Sequence, residues 1–289
     1  MNHPSTDSAA GDSSSSPAAA TALSFLRDDV GVLVPVDTPP RRVISLVPSL
    51  TEAVALSAPH TLIGATRWCT HPADLDLLRV GGTKDPDLSA IIAARPDLVI
   101  ANEEENRACD VAALREHHVP VWVTAIDDVP SALRSLSRLL TVLGVSPSGP
   151  RGWYDDVRTA WQQPPQITGH GRALRVVVPI WRRPWMVVGA GTYATDVLTR
   201  LGMVNVAAAR GSRYPRIDPA QICQSTPVDL VLLPDEPYPF SAVDGPESVE
   251  TPAVSVPGRA LFWYGPAMVT APSILRTAIC TALGENKGG

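Results

Sequence analysis

The chain has 289 residues, with 45% hydrophobic and 18% charged side chains. Those are the proportions of a soluble globular protein with room for two lobes. A net charge of −5 excludes a broad electrostatic surface for nucleic acid. The four cysteines, Cys69, Cys109, Cys223 and Cys280, are too few and too scattered for a disulfide framework or a CxxC zinc site. Proline, at 29 residues, is about twice its usual share and points to many ordered turns. The apolar runs are far shorter than the roughly 20 residues a membrane span needs.

Residues 1–22 are rich in Ser and Ala, and the composition predicts a disordered N-terminal extension. They show neither the basic region nor the apolar core of a secretory signal, and no lipid-accepting cysteine. Arg41-Arg42 ahead of an apolar run could pass for a twin-arginine signal, but Pro48 and Glu52 interrupt that run. The expected compartment is therefore the cytoplasm. An extracytoplasmic location is the alternative if the start is misassigned.

An N-terminal α/β lobe is expected over 23–127, opening with a short strand or ribbon in 23–40. A strand at 42–47 leads through Pro48 into a helix from Ser49. Ser49-Leu50-Thr51-Glu52 fits the capping-box pattern, so Glu52 reads as a cap. The same helix N-terminus could also receive an anionic group. A strand at 62–66 runs into the loop Arg67-Trp68-Cys69-Thr70-His71-Pro72, and Gly81-Gly82-Thr83 makes a turn. Then come a helix at 88–94, a strand at 97–101, the run Asn102-Glu103-Glu104-Glu105-Asn106, a helix at 109–117 and a strand at 119–124. All-apolar strands alternating with helices imply a parallel sheet covered on both faces.

A helical connector is expected over 128–165. Val129, Leu133, Leu136, Leu139, Leu140 and Leu143 recur at helical spacing. Ser146-Pro147-Ser148-Gly149-Pro150 should break that helix before a second one at 151–161. A second α/β lobe is expected over 166–289, with strands at 174–178, 228–233 and 260–263 and helices near 192–201 and 272–283. The segment 222–231 echoes 91–100: each reads as helix end, proline turn and strand, with Asp97 matched by Asp229. The fold class read from this pattern is α/β, with two Rossmann-like lobes and a ligand cleft between them.

Several motifs recur in a family-like order: RVISLVPSLTEAV (42–54), GATRWCTHP (64–72), GGTKDPDLSAIIAARPDLVIANEEEN (81–106), PWMVVGAGTYATDVLTRLGMVNVAA (184–208), DLVLLPDEPYPF (229–240) and FWYGP (262–266). In this order they resemble the class III periplasmic-binding-protein superfamily, the cobalamin and iron-chelate receptors, also called helical-backbone metal receptors. The match covers roughly 41–285 and is most similar to the cobalamin branch. The resemblance implies two lobes on a helical connector, and ligand binding without chemistry or a required cofactor. Three departures stand out. No export signal is seen. Arg79 and Ala220 stand where transporter-coupled members present a glutamate from each lobe to a permease, which makes docking to an ABC permease doubtful. The segment 146–150 interrupts the usual connecting helix. The motifs CTHP (69–72), GGTK (81–84) and NEEEN (102–106) resemble a signal-less subgroup of the superfamily.

Trp68, Cys69 and His71 lie on one loop after a strand and Glu103, Glu104 and Glu105 on another, so they can converge. Thiolate, imidazole and carboxylate suit zinc, cobalt or ferrous iron, and imidazole could serve as an axial ligand, so Cys69 and His71 are metal candidates. Each has a plainer reading: Cys69 as a small buried residue, His71 as a turn cap. Glu104 or Glu105 with Asn102 are the ligand candidates of the acidic run, which otherwise reads as a solvated helix start. Trp181, Trp185, Trp263 and Tyr264 offer aromatic walls for a large planar ligand or ordinary packing, with Trp68 and Trp185 preferred as walls. Arg67 and Lys84 could pair with a propionate, a phosphate or the acidic run. The leading function is a non-catalytic binding protein for a metal chelate, most of all a cobalamin-like corrinoid. Binding of a free metal ion, or a chelatase-type enzyme using His71 and a carboxylate of 103–105 on a tetrapyrrole, are the alternatives.

Overall fold

The structure is a computed structural model that describes residues 23–37, 39–148, 152–169 and 171–284. The expectation for 1–22 lies outside these residues. The chain enters through the antiparallel ribbon β1 (Leu23–Arg27) and β2 (Leu33–Asp37). This ribbon is the one expected in 23–40, and Val34 and Val36 turn inward from it. β3 (Val43–Ser45) is wholly buried. It leads into α1 (Pro48–Ser57), β4 (Leu62–Ala65), β5 (Leu78–Arg79), α2 (Leu88–Ala93), β6 (Leu98–Asn102), α3 (Ala108–Glu116) and β7 (Val121–Thr124). The strands form one parallel sheet in the order β5-β4-β3-β6-β7.

The start of α1 corrects the capping-box reading. Val47 is the N-cap, Pro48 opens the helix and no side chain caps it. Proline presets the first turn, so Ser49 and Glu52 fall inside the helix, where both are buried.

The connector is helical, in two pieces. α4 (Val129–Val142) starts from a capping box between Asp128 and Ser131. It stops where Gly144 takes φ +73°, a conformation that favours glycine. α5 (Trp153–Gln162) folds back on it, with Tyr154 Oη donating to Leu133 O at 2.9 Å. Its indoles reach both lobes: Trp153 Nε1 donates to Ser57 Oγ at 2.9 Å and Trp161 Nε1 to Met268 O at 2.9 Å. The connector is thus a helical hairpin fastened at several points.

The second lobe begins with the small hairpin β8 (Thr168–Gly169) and β9 (Arg172–Ala173). Then follow β10 (Arg175–Val177), β11 (Pro179–Trp181), β12 (Met186–Val187), α6 (Tyr193–Arg200), β13 (Val204–Asn205), α7 (Pro219–Ser225), β14 (Leu230–Pro234), β15 (Ala253–Val256), α8 (Gly258–Phe262) and α9 (Ala271–Ala282). The expected strand at 260–263 is a correction. The strand is β15, just upstream, where Val254 and Val256 alternate inward; Pro257-Gly258 then turns the chain into α8.

The two lobes repeat one topology. The parallel order β4-β3-β6-β7 of the first matches β13-β10-β14-β15 of the second. The echoed aspartates do the same work in each. Asp97 Oδ2 accepts from Arg41 N and Arg42 N at 2.8 and 2.9 Å, and Asp229 Oδ2 from Arg175 N at 2.7 Å. Each aspartate N–H returns a bond at 2.8 Å, to Arg42 O and Arg175 O. A single apolar cluster runs from Val36 through Leu136 and Trp161 to Ile279, so core packing joins the lobes and the connector.

Candidate functional site

In open parallel sheets the loops at the carboxyl ends of strands carry the ligand groups, where the strand order reverses. Here that point lies between β3 and β6 in one lobe and between β10 and β14 in the other. The carboxyl-end loops of the two lobes meet, so the residues that cross from lobe to lobe define the candidate site.

Asn102 ends β6 and shapes the acidic loop. Its Oδ1 accepts from Glu104 N and Glu105 N at 2.9 and 3.1 Å, and its Nδ2 donates to Thr124 Oγ1 at 3.1 Å. Asn102 is buried and fully engaged. Through these bonds it positions the loop.

Of the three glutamates, Glu105 crosses to the other lobe. Tyr264 Oη donates to Glu105 Oε1 at 2.7 Å. Desolvation pushes the Glu105 carboxyl up to about 7; Glu104 and Glu236 add to the rise, and the Tyr264 bond and Lys84 oppose it. Burial and the neighbouring Glu105 hold the Tyr264 phenol well above its ordinary value. Ser49 lies beside that phenol, with its hydroxyl buried and lacking a hydrogen bond of ordinary geometry. Gly265 follows at φ +117°, and a Cβ there would stand 3.3 Å from Ser49 O. Both features favour glycine at this crossing.

Glu104 pairs with Arg213 of the second lobe at 3.2 Å, and Arg213 also holds Asp127 at 2.8 Å. Lys84 Nζ donates to Glu104 O at 2.6 Å. Arg67 pairs with Asp85 at 2.9 Å and lies over Trp68. Glu52, the expected cap, instead forms an ion pair with Arg259 of α8, whose guanidinium covers Trp263. Glu236, two residues beyond β14, has a buried Oε1 with no hydrogen-bond partner, and desolvation raises its carboxyl.

The aromatic candidates separate into two kinds. Trp68 is 59% exposed and Trp181 45%, one on each lobe and both on carboxyl-end segments. Trp185 stacks on Phe240 with centroids 6.0 Å apart and lies beneath Arg182, so its own lobe packs against it. Trp263 and Tyr264 are buried at the crossing. His71 is exposed and meets the Trp263 ring edge-on at 5.4 Å.

Cys69 is fully buried between two hydroxyls, accepting from Thr51 Oγ1 at 3.0 Å and lying 3.1 Å from Thr66 Oγ1. Burial raises its thiol, which disfavours the thiolate a metal needs. Among the described residues, no group of three or more His, Cys, Asp and Glu side chains gathers as a metal site would. Arg79 donates to the carbonyls of Thr66, Cys69 and Leu75 and so braces that loop. Ala220 sits in the first turn of α7.

Sequence reasoning missed Arg213, Arg259 and Glu236. The internal echo held a signal for Glu236, since Glu105 and Glu236 follow equivalent strands. Nothing marked the two arginines. A separate groove of about 620 Å³ lies on the far side of the acidic loop, between Val30 and α3, and is lined by Val111, Arg115 and Glu116. It shares Asn102 and Glu103 with that loop but touches no residue of the second lobe.

No family model matches the chain. It is 24% identical over 201 residues to a vitamin B12-binding protein of Pectobacterium carotovorum, covering 67% of this chain and 71% of that one. It is 26% identical over 194 residues to the vitamin B12-binding protein of Vibrio parahaemolyticus, covering 65% and 69%. Among solved structures, the periplasmic vitamin B12 binding protein BtuF of Vibrio cholerae superposes with a TM-score of 0.65 at 18% identity, over 85% of this chain and 98% of that one. The periplasmic heme-binding protein RhuT from Roseiflexus sp. RS-1 gives 0.63 at 20% identity, over 84% and 98%. Two lobes of one topology, facing each other across carboxyl-end loops, give this chain the fold of the periplasmic vitamin B12-binding and heme-binding proteins it superposes on.

Proposed function

We propose that this chain binds a metal chelate, most of all a cobalamin-like corrinoid, between its lobes and performs no chemistry on it. The observation that carries this reading is the pair of exposed tryptophans, Trp68 and Trp181, one on each lobe. Exposed indoles on facing carboxyl-end segments suit the faces of a large, partly apolar macrocycle. The curated relatives named as vitamin B12-binding proteins support the same ligand class.

In this reading the protein is a carrier, store or sensor rather than the docking partner of an ABC permease. The Arg79 guanidinium is committed to three loop carbonyls, and Ala220 offers no charge.

Titration of the purified chain with hydroxocobalamin, followed through tryptophan quenching and the corrin bands, tests the proposal. The expected result is saturation at one equivalent, with affinity in about the micromolar range or tighter. Trp68→Ala and Trp181→Ala should each weaken binding by about tenfold, the loss of one aromatic contact. Absence of binding overturns the reading.

A further inference from the structure

The exposed tryptophans of the two lobes have arginine neighbours in different states. On the first lobe, Arg67 lies over Trp68 and is paired with Asp85 at 2.9 Å. On the second, the turn between β11 and β12 places Arg182 and Arg183 between Trp181 and Trp185. Arg182 is committed within its own lobe: it covers the Trp185 ring and pairs with Asp244 and, at 2.6 Å, with Glu247. Arg183 is exposed, and its guanidinium forms no ion pair or hydrogen bond among the described residues. Asp244 lies within its electrostatic reach, but both oxygens of that carboxylate are taken, one by Arg182 and the other by Tyr238 Oη at 2.7 Å. Arg183 also adopts φ +68°, a left-handed conformation that residues with a Cβ rarely take. Such backbone outliers cluster at ligand clamps.

Resting on the chelate-binding reading, we infer that Arg183 binds an anionic substituent at the edge of the chelate, which for a cobalamin-like corrinoid is the phosphodiester of its nucleotide tail. A guanidinium presents a fork of N–H donors that matches two phosphate oxygens. Trp181, 45% exposed and two residues away, gives the macrocycle an aromatic face beside that fork. The first lobe offers an anion less. Asp85 already neutralises Arg67 and repels a second negative charge, and Lys84 lies against the acidic run, donating to Glu104 O at 2.6 Å. Arg216 adds positive charge on the second lobe, next to Pro215, whose carbonyl accepts from Val187 N at 3.1 Å. The anionic edge of the ligand therefore points to the second lobe. The site then discriminates between chelates that share a ring and differ in that one group.

The test measures the affinities of the full chain for cyanocobalamin and dicyanocobinamide by tryptophan quenching. The two share the corrin ring and its amides, and cobinamide lacks the nucleotide with its phosphodiester. The wild type should favour cobalamin by about fivefold or more in about 50 mM salt, and about 500 mM salt should roughly halve that preference. Arg183→Gln should bring the two ligands within about twofold by weakening cobalamin alone, and Arg183→Lys should keep a preference of about threefold. Arg276→Gln, which removes an exposed charge from α9, should leave the preference unchanged. A wild type with no preference, or an Arg183→Gln variant that keeps the preference or weakens both ligands equally, overturns the inference and leaves chelate binding intact. A wild type that binds neither corrinoid overturns the proposed function and this inference with it.

Discussion

Glu105 is the residue at which burial, charge and lobe contact converge. Tyr264, Glu104, Lys84 and Glu236 all face it, and desolvation raises its carboxyl to about 7. The unfolded chain, with an ordinary carboxyl near 4.5, binds fewer protons over the interval between those values. This group's contribution to stability therefore falls as pH rises from about 4.5 to 7 and is flat above. Glu105→Gln imitates the protonated form. It should match the wild type at about pH 4 and exceed its Tm by about 2–4 °C at pH 8. Melting curves across that range check this, and a variant less stable than the wild type at pH 8 would contradict it. His71 and Cys69 show how far composition of a motif can be from its use. They are two residues apart, yet one is exposed against Trp263 and the other is sealed between Thr51 and Thr66.

At the scale of elements, the repeated brace is the feature most open to test. Asp97 and Asp229 each tie the entry of a lobe's first strand to the entry of its third. Replacing either by alanine removes a charged acceptor from backbone N–H groups and should cost about 1–2 kcal/mol. The two sites share no partner, so the double variant should show the sum. Urea denaturation measures both, and a neutral change at one site would contradict the equivalence of the lobes. This brace was legible in the amino-acid order, as were the parallel strands, the broken connector and most helices. Apolar runs, proline turns and the Asp-Leu-Val echo are local signals. What stayed illegible is long-range. Nothing near Glu52 tells that Arg259 lies across from it, so a helix-start pattern read as a cap. Val254 and Val256 alternate over too few residues to outweigh the apolar run at 260–263. Glu104 and Glu105 were read as ligand groups, but pairing them with Arg213 and Tyr264 requires the fold.

For the whole molecule, the connector decides how the lobes can move. A helical hairpin, fastened through Tyr154, Trp153 and Trp161 and embedded in a core common to both lobes, leaves little freedom for a wide hinge. The contacts Tyr264–Glu105, Arg213–Glu104 and Arg259–Glu52 join the lobes at their carboxyl-end loops as well. The central claim is that one ligand engages the carboxyl-end loops of both lobes together. Hydrogen exchange followed by mass spectrometry, with and without saturating hydroxocobalamin, tests it most directly. The account predicts slower exchange on binding in segments 66–72 and 103–106 of the first lobe and in 181–185 and 263–265 of the second. Protection confined to one lobe, or to the groove between Val30 and α3, would contradict it.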